Sequence, residues 1–275
     1  MQHSTKTKAL VESALLVAFA TVLSVLPVAQ LPYGGSITVA SMLPIVIISY
    51  RNGVGMGLGA GLVFGVIQQL LGLNNLTYFT TWQSIVAIIL LDYLVAFAVT
   101  GLGGIFRRGL KSQPLALCAG ALLVSVLRYA CHVISGATVW AGLSIPTTAA
   151  LAYSLIYNAT YMVPEAVVLL LAAGYLGSVL DFRGEQLGRM VRSEKKTLRP
   201  AHIGGSLAGL LAVGAVAFDT VMIFSHMQDP ESGEFAVAGL LAEPFAESFW
   251  LPVVIATAAA AVLAAISVLL LRPRR

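Results

Sequence analysis

Arg128-Tyr129-Ala130-Cys131-His132-Val133-Ile134-Ser135-Gly136-Ala137-Thr138-Val139-Trp140 sets an arginine, a histidine and a tryptophan inside or at the mouth of an apolar run. That run reaches back to residue 114, long enough to cross a bilayer as one helix. Arg128, His132 and Gly136 recur at four-residue intervals and share roughly one helix face. Ionisable groups are costly in hydrocarbon, so such a face marks a functional site by default. A lone histidine on an apolar helix is more often a satisfied packing residue. Gly136 on the same face leaves room for a small molecule against the backbone.

Composition settles the class. Hydrophobic residues make up 58% of the 275, charged residues 10%, and the mean hydropathy is +0.90. Soluble domains carry about 25% charged residues. The chain is therefore expected to be an all-α integral membrane protein. The net charge of +4 is no nucleic-acid signal, because Lys and Arg stand between apolar blocks, where they set topology. Cys118 and Cys131 fall in one predicted helix, about 20 Å apart along it, too far to bridge.

Eight apolar runs are candidate spans, near 9–29, 37–50, 53–73, 83–105, 114–137, 147–180, 204–226 and 248–271. The second is short, Tyr50-Arg51-Asn52-Gly53 reads as a tight turn, and Pro164 inside the sixth marks a candidate kink. Lys6 and Lys8, Arg51, Arg107, Arg108 and Lys111, the basic residues of 183–199, and Arg272, Arg274 and Arg275 mark every alternate connection. The positive-inside rule then puts both termini in the cytoplasm. Lys6 and Lys8 before a run ending Pro27-Val28-Ala29 mimic a signal peptide, but cleavage there would break this alternation. A basic linker at 181–203 separates the first six runs, 1–180, from a two-helix hairpin, 204–275.

Gly53, Gly57, Gly61 and Gly65 form one smooth helix face suited to close packing; no βαβ context supports a dinucleotide site. Ala14 and Ala18 make a small-residue face where another chain's helix could dock. The chain has no GxxxxGK[ST] loop, so any ATPase must be another chain. Asp92 sits within a span. It either pairs with Arg128 or accepts hydrogen bonds from a ligand amine. Tyr153, Tyr157, Tyr161 and Glu165 repeat every four residues, a pattern common in packing, and Glu165 is also a natural ion-pair partner for Arg128. Trp82 and Trp250 read as interfacial anchors, and Asn75-Leu76-Thr77 is a glycosylation sequon by pattern alone. Asp219 and His226 in the seventh run have no functional account.

Taken together, several motifs resemble the thiamine-specific substrate-binding (S) subunits of energy-coupling factor (ECF) transporters. They are Leu31 to Ser36 with Met42-Leu43-Pro44-Ile45, Leu91-Asp92-Tyr93-Leu94-Val95-Ala96-Phe97, Arg128 through Gly136 with Trp140, and Tyr153 through Asn158 on to Pro164-Glu165. They cover roughly 1–180. The resemblance implies a six-helix S-component bundle, to which 204–275 adds a hairpin, in the cell membrane. It implies thiamine as the transported ligand, a transmembrane coupling subunit and two ATPase subunits as partners, and docking through Ala14 and Ala18. No catalytic residue, metal or cofactor is expected. The pyrimidine side maps onto Asp92, Tyr93, Trp140, Tyr153 and Asn158. The thiazolium side maps onto His132, with Gly136 near the hydroxyethyl arm. Aromatic faces attract a cation, and a buried carboxylate accepts from an aminopyrimidine.

The chain departs from the family in four places. Asp92 stands for Glu, and Phe64 for a third-span tryptophan. A first-loop tryptophan is missing near Tyr33, and the connection from Gly72 to Trp82 is longer than usual. These bear on affinity and on which ligand binds. A carrier for a thiamine precursor or another vitamin is the nearest alternative. An intramembrane enzyme using Asp92 and His132 as acid and base is the other, without HExxH or a nucleophile elbow to support it.

Overall fold

The computed structural model describes residues 2–31, 35–140, 150–184, 186–190 and 249–271, with isolated positions between 204 and 219. It divides into two compact units, Met1–Met190 and Val191–Arg275. Among the described residues five helices are long and apolar enough to cross a membrane. All five belong to the first unit.

Helix α1 (Gln2–Ser24) turns Ser13, Val17 and Ala20 inward at helical spacing and leaves Leu15, Phe19 and Val22 outward. An outward apolar face suits lipid, which is as apolar as leucine. A two-residue ribbon follows, β1 (Ala29–Gln30) against β2 (Ser36–Ile37), antiparallel with Ala29 opposite Ile37. Tyr33 lies outside the described residues.

The second apolar run gives only ten residues of helix, α2 (Leu43–Asn52), begun by Pro44 in its first turn. At about 1.5 Å per residue it cannot span a bilayer of about 30 Å. Leu43 through Tyr50 are all buried, so it is apolar all round because it is surrounded. The helix runs through the expected tight turn and stops at Gly53, whose φ of 95° suits glycine.

The glycine face of α3 (Val54–Leu71) packs as its spacing predicts. A Cβ on Gly57, Gly61 or Gly65 would strike the backbone of the next long helix at Gly101, Phe97 and Tyr93, whereas Gly55 and Gly59 on the other side meet nothing. That next helix, α4 (Trp82–Arg107), is apolar throughout but not uniform. It is α-helical to Ile88, widens to a π-turn at Ile89–Val95, and tightens to 3₁₀ over Val99–Arg107. In the 3₁₀ stretch Gly101 and Gly104 align at i and i+3 and let the backbones of α2 and α3 come close. The π-turn carries Asp92; such turns recur at functional sites.

Helix α5 (Gln113–Thr138) is capped by Ser112, whose hydroxyl accepts from Leu115 N at 3.5 Å. Both cysteines lie on it and are free. Helix α6 (Ala150–Val179) runs through Pro164 without a break. Its buried face is read every three or four residues as Ser154, Asn158, Tyr161, Glu165, Leu169, Ala173 and Gly177. The lower part of that face meets Leu117, Ala121 and Val124 of α5 and Val46, Ile47 and Tyr50 of α2 in one core cluster.

Polar side chains tie one end of this unit. Arg51 pairs with Glu12 of α1 and donates to the carbonyls of Phe182 and Gly184 at 3.2 and 3.4 Å. Arg107 donates to the Arg51 carbonyl, and Arg183 to the Tyr50 hydroxyl at 2.8 Å. A second ribbon, β3 (Leu180–Asp181) with β4 (Gly188–Arg189), closes the unit.

The second unit contains α7 (Trp250–Leu271). Thr257 on α7 donates to Asp219 Oδ2 at 2.8 Å, which gives Asp219 a partner the sequence did not suggest. Most of the predicted helix 204–226, including His226, and the connection 227–247 lie outside the described residues.

Candidate ligand-binding site

Asp92 is the hub of the site. Its Oδ1 lies 2.9 Å from His132 Nδ1. Its Oδ2 accepts from Ser135 Oγ at 2.7 Å and from Trp140 Nε1 at 3.1 Å. The π-turn of α4 delivers the carboxylate, and the end of α5 supplies the donors. His132 and Ser135 sit three residues apart on one face of α5, as a shared acceptor on the facing helix requires. Ionised carboxylates only accept, so His132 Nδ1 is the donor to Asp92. His132 Nε2 is buried and has no partner among the described residues.

The partner of Arg128 is Glu165, at 2.7 Å, with both side chains at least nine-tenths buried. Thr38 also donates to Glu165, and the Arg128 guanidinium lies 4.7 Å from the centre of the Phe97 ring. Of the two carboxylates open to Arg128 from the sequence, Glu165 takes it. Asp92 is left to face His132.

Asn158 extends the site onto α6. Its amide nitrogen donates to Ser154 O at 2.9 Å and to His132 O at 3.3 Å, and its oxygen accepts from Tyr161 at 2.6 Å. Tyr161 meets the His132 ring at 6.4 Å and the Tyr157 ring at 5.8 Å. Tyr153 is buried one turn before Tyr157. Gly136 is buried on the face of α5 that carries His132.

Tyr93, beside Asp92, receives a hydrogen bond at its hydroxyl from Asn75 Nδ2 at 2.9 Å. Trp140 stands edge-on to Phe79 at 4.7 Å and tilted to Tyr78 at 6.0 Å. Beyond them a cavity of about 500 Å³ is lined by Tyr78, Phe79, Gln83, Ser84 and Thr138, among others. The long connection from Gly72 to Trp82 thus packs Tyr78 and Phe79 against Trp140 and lines this cavity. Trp82 itself is 70% exposed, as an interfacial ring would be.

The structure brings Asp92, Tyr93, His132, Trp140 and Asn158 into one continuous set of contacts. It does not bring Phe64 there. Phe64 is fully buried, edge-on to Phe97 at 5.2 Å, in a cluster with Val17, Ile45 and Ile48 against which Tyr93 packs. Ala14 and Ala18 stand on the exposed side of α1. Sequence reasoning passed over Ser135, Asn75, Tyr78, Phe79 and Thr38. The only signal for Ser135 was its place one turn from His132 on a face already under suspicion.

This arrangement offers a carboxylate, an unpartnered imidazole nitrogen and several aromatic rings, held within an apolar bundle. Comparison with known proteins agrees with the fold. A solved structure of ThiT from Listeria monocytogenes is 22% identical and covers 62% of this chain and 94% of its own, with a TM-score of 0.52. The thiamine transporter ThiT of Bacillus subtilis (strain 168) is 38% identical over 179 residues, 61% of this chain and 89% of that protein. The thiamine transporter ThiT of Lacticaseibacillus paracasei is 25% identical over 195 residues, 65% of this chain and 91% of that protein. The profile of the thiamine transporter protein family (Thia_YuaJ) matches residues 10–181. With five membrane-spanning helices and a family match covering more than half its length, this multi-pass membrane chain belongs to the thiamine transporter protein family.

Proposed function

We propose that the chain is the membrane-embedded thiamine-binding subunit of an energy-coupling-factor importer. Its six-helix bundle would hold the ligand, and other chains would supply the energy. The observation that carries the reading is the Asp92–His132 pair, with His132 Nε2 buried and open. An orphaned buried polar atom is destabilising, and a bound ligand relieves it. Asp92 accepts from the aminopyrimidine. Trp140, Tyr93 and Tyr153 bring aromatic faces to a cationic heterocycle. Asn158 and His132 contribute polar contacts, and Gly136 leaves space for the ligand's arm. Phe64 stays outside this site, in the core cluster against which Tyr93 packs.

Coupling rests on the absence of an ATP-binding loop and on the small exposed face at Ala14 and Ala18, where a transmembrane coupling subunit with two ATPase subunits would dock. The alternating Lys and Arg support a reading with both termini in the cytoplasm, 181–203 as a cytoplasmic linker and 204–275 as an added membrane hairpin.

Calorimetric titration of thiamine into the purified chain in detergent, without partners, tests the reading. One-to-one, submicromolar binding is the expected result. Absence of binding rejects thiamine as the ligand, and a panel of precursors and other vitamins then identifies the replacement.

A further inference from the structure

Gln69 on α3 is a further buried orphan. It is 8% exposed, and among the described residues neither its amide oxygen nor its amide nitrogen has a partner. Nothing in the helix packing accounts for a glutamine there. Gly57, Gly61 and Gly65 continue to Gln69 at the same four-residue interval, so it lies on the α3 face that meets α4. A Cβ on Gly65 would touch the Tyr93 carbonyl, and one on Gly72 would touch the Tyr93 hydroxyl. Gln69 falls between these two, on the stretch of α3 that faces Tyr93, the residue after Asp92 in the π-turn. An apolar residue would satisfy the packing there, since a buried amide without partners opposes folding.

An amide presents one donor and one acceptor side by side, a pattern that reads the matching edge of an aminopyrimidine, as glutamine reads adenine. We propose that Gln69 is a specificity-determining residue of the ligand site, its amide pairing with the amine and adjacent ring nitrogen of the bound aminopyrimidine. The inference rests on the thiamine reading above and adds a contact from α3, the helix opposite the donors of α5.

The test pairs a mutation with a ligand change. Gln69→Met and Gln69→Leu remove the amide with two different apolar shapes. Each is titrated with thiamine and with the analogue carrying hydrogen in place of the pyrimidine amine. In the unaltered chain, deleting the amine should weaken binding. In the variants, thiamine affinity should fall about tenfold to a hundredfold, and deleting the amine should then matter much less. Thermal unfolding without ligand should show at least one variant as stable as the unaltered chain or more so. Unchanged thiamine affinity in that variant overturns the inference alone, and so does an undiminished effect of the amine. Failure of the unaltered chain to bind thiamine overturns both the inference and the reading it rests on.

Discussion

Asp92 and His132 are bonded across 2.9 Å through Nδ1, while the second imidazole nitrogen, Nε2, is buried with no partner among the described residues. The carboxylate thereby does two jobs. It fixes which ring nitrogen donates, and it holds Ser135 and Trp140 in place through Oδ2. Asp92→Asn keeps the size and one acceptor but brings an NH₂ against donors. Charged hydrogen bonds contribute roughly 1.5–3 kcal/mol, so thiamine affinity should fall by about tenfold to a hundredfold. The protein should remain folded in detergent, because the buried ion pair of the bundle lies elsewhere. Calorimetry with thermal unfolding on the same sample checks both. A variant that cannot be purified folded would make Asp92 a structural residue.

Glycine contacts predict a sharp contrast within one helix. Gly59 faces open space, while a Cβ on Gly61 would collide with the Phe97 carbonyl. Gly59→Ala should be neutral or stabilise by about 0.5–1 kcal/mol, because alanine loses less freedom in a helix. Gly61→Ala should lower the midpoint of thermal unfolding, because backbone cannot move aside as a flexible side chain can. Equal behaviour of the two would mean α3 does not pack on α4 through this face.

Much of this packing was legible before any coordinates. The four-residue glycine interval specifies a close helix contact, and the charges of Arg128 and Glu165 must be neutralised inside an apolar bundle. Asp92 shows where legibility ends. A carboxylate in a span requires a partner, but only the tertiary arrangement decides between Arg128 on one side and His132 with Ser135 on the other. Asn75 carried no local signal for the site, and Ser135 only its place one turn from His132. Their roles exist only because α4 presents Asp92 and Tyr93 to them. The π-turn at Ile89–Val95 was equally hidden, since a change of one residue per turn leaves apolar composition untouched. Phe64 was placed by likeness to a tryptophan, and the geometry puts its ring against Phe97 instead.

The Arg128–Glu165 pair should behave as a unit. Removing one partner leaves an uncompensated buried charge, which costs about 3–5 kcal/mol, whereas replacing both with apolar residues is often neutral. Glu165→Leu alone should therefore unfold at much lower temperature. Arg128→Met combined with Glu165→Leu should recover most of the loss, short of what Thr38 loses as a donor to Glu165. Thermal unfolding of the two singles and the double gives the coupling directly. Additive losses would show that the two charges do not stabilise one another.

Docking through α1 makes the last prediction, and it separates binding from transport. Ser13, Val17 and Ala20 face the bundle, while Ala14 and Ala18 lie on the exposed side between the larger Leu15 and Phe19. Small residues in such a position let a second helix approach closely, and a large side chain would hold it off. Ala14→Trp should leave thiamine affinity of the isolated chain unchanged, because the face is turned away from Ser13 and Val17 and therefore from the bundle interior. In cells that also make the coupling and ATPase subunits, the same variant should abolish uptake of labelled thiamine. Leu15→Trp, which replaces one bulky exposed residue with another, should be tolerated. If Ala14→Trp takes up thiamine normally, α1 is not the docking surface; if it loses binding in isolation, that face supports the site rather than a partner.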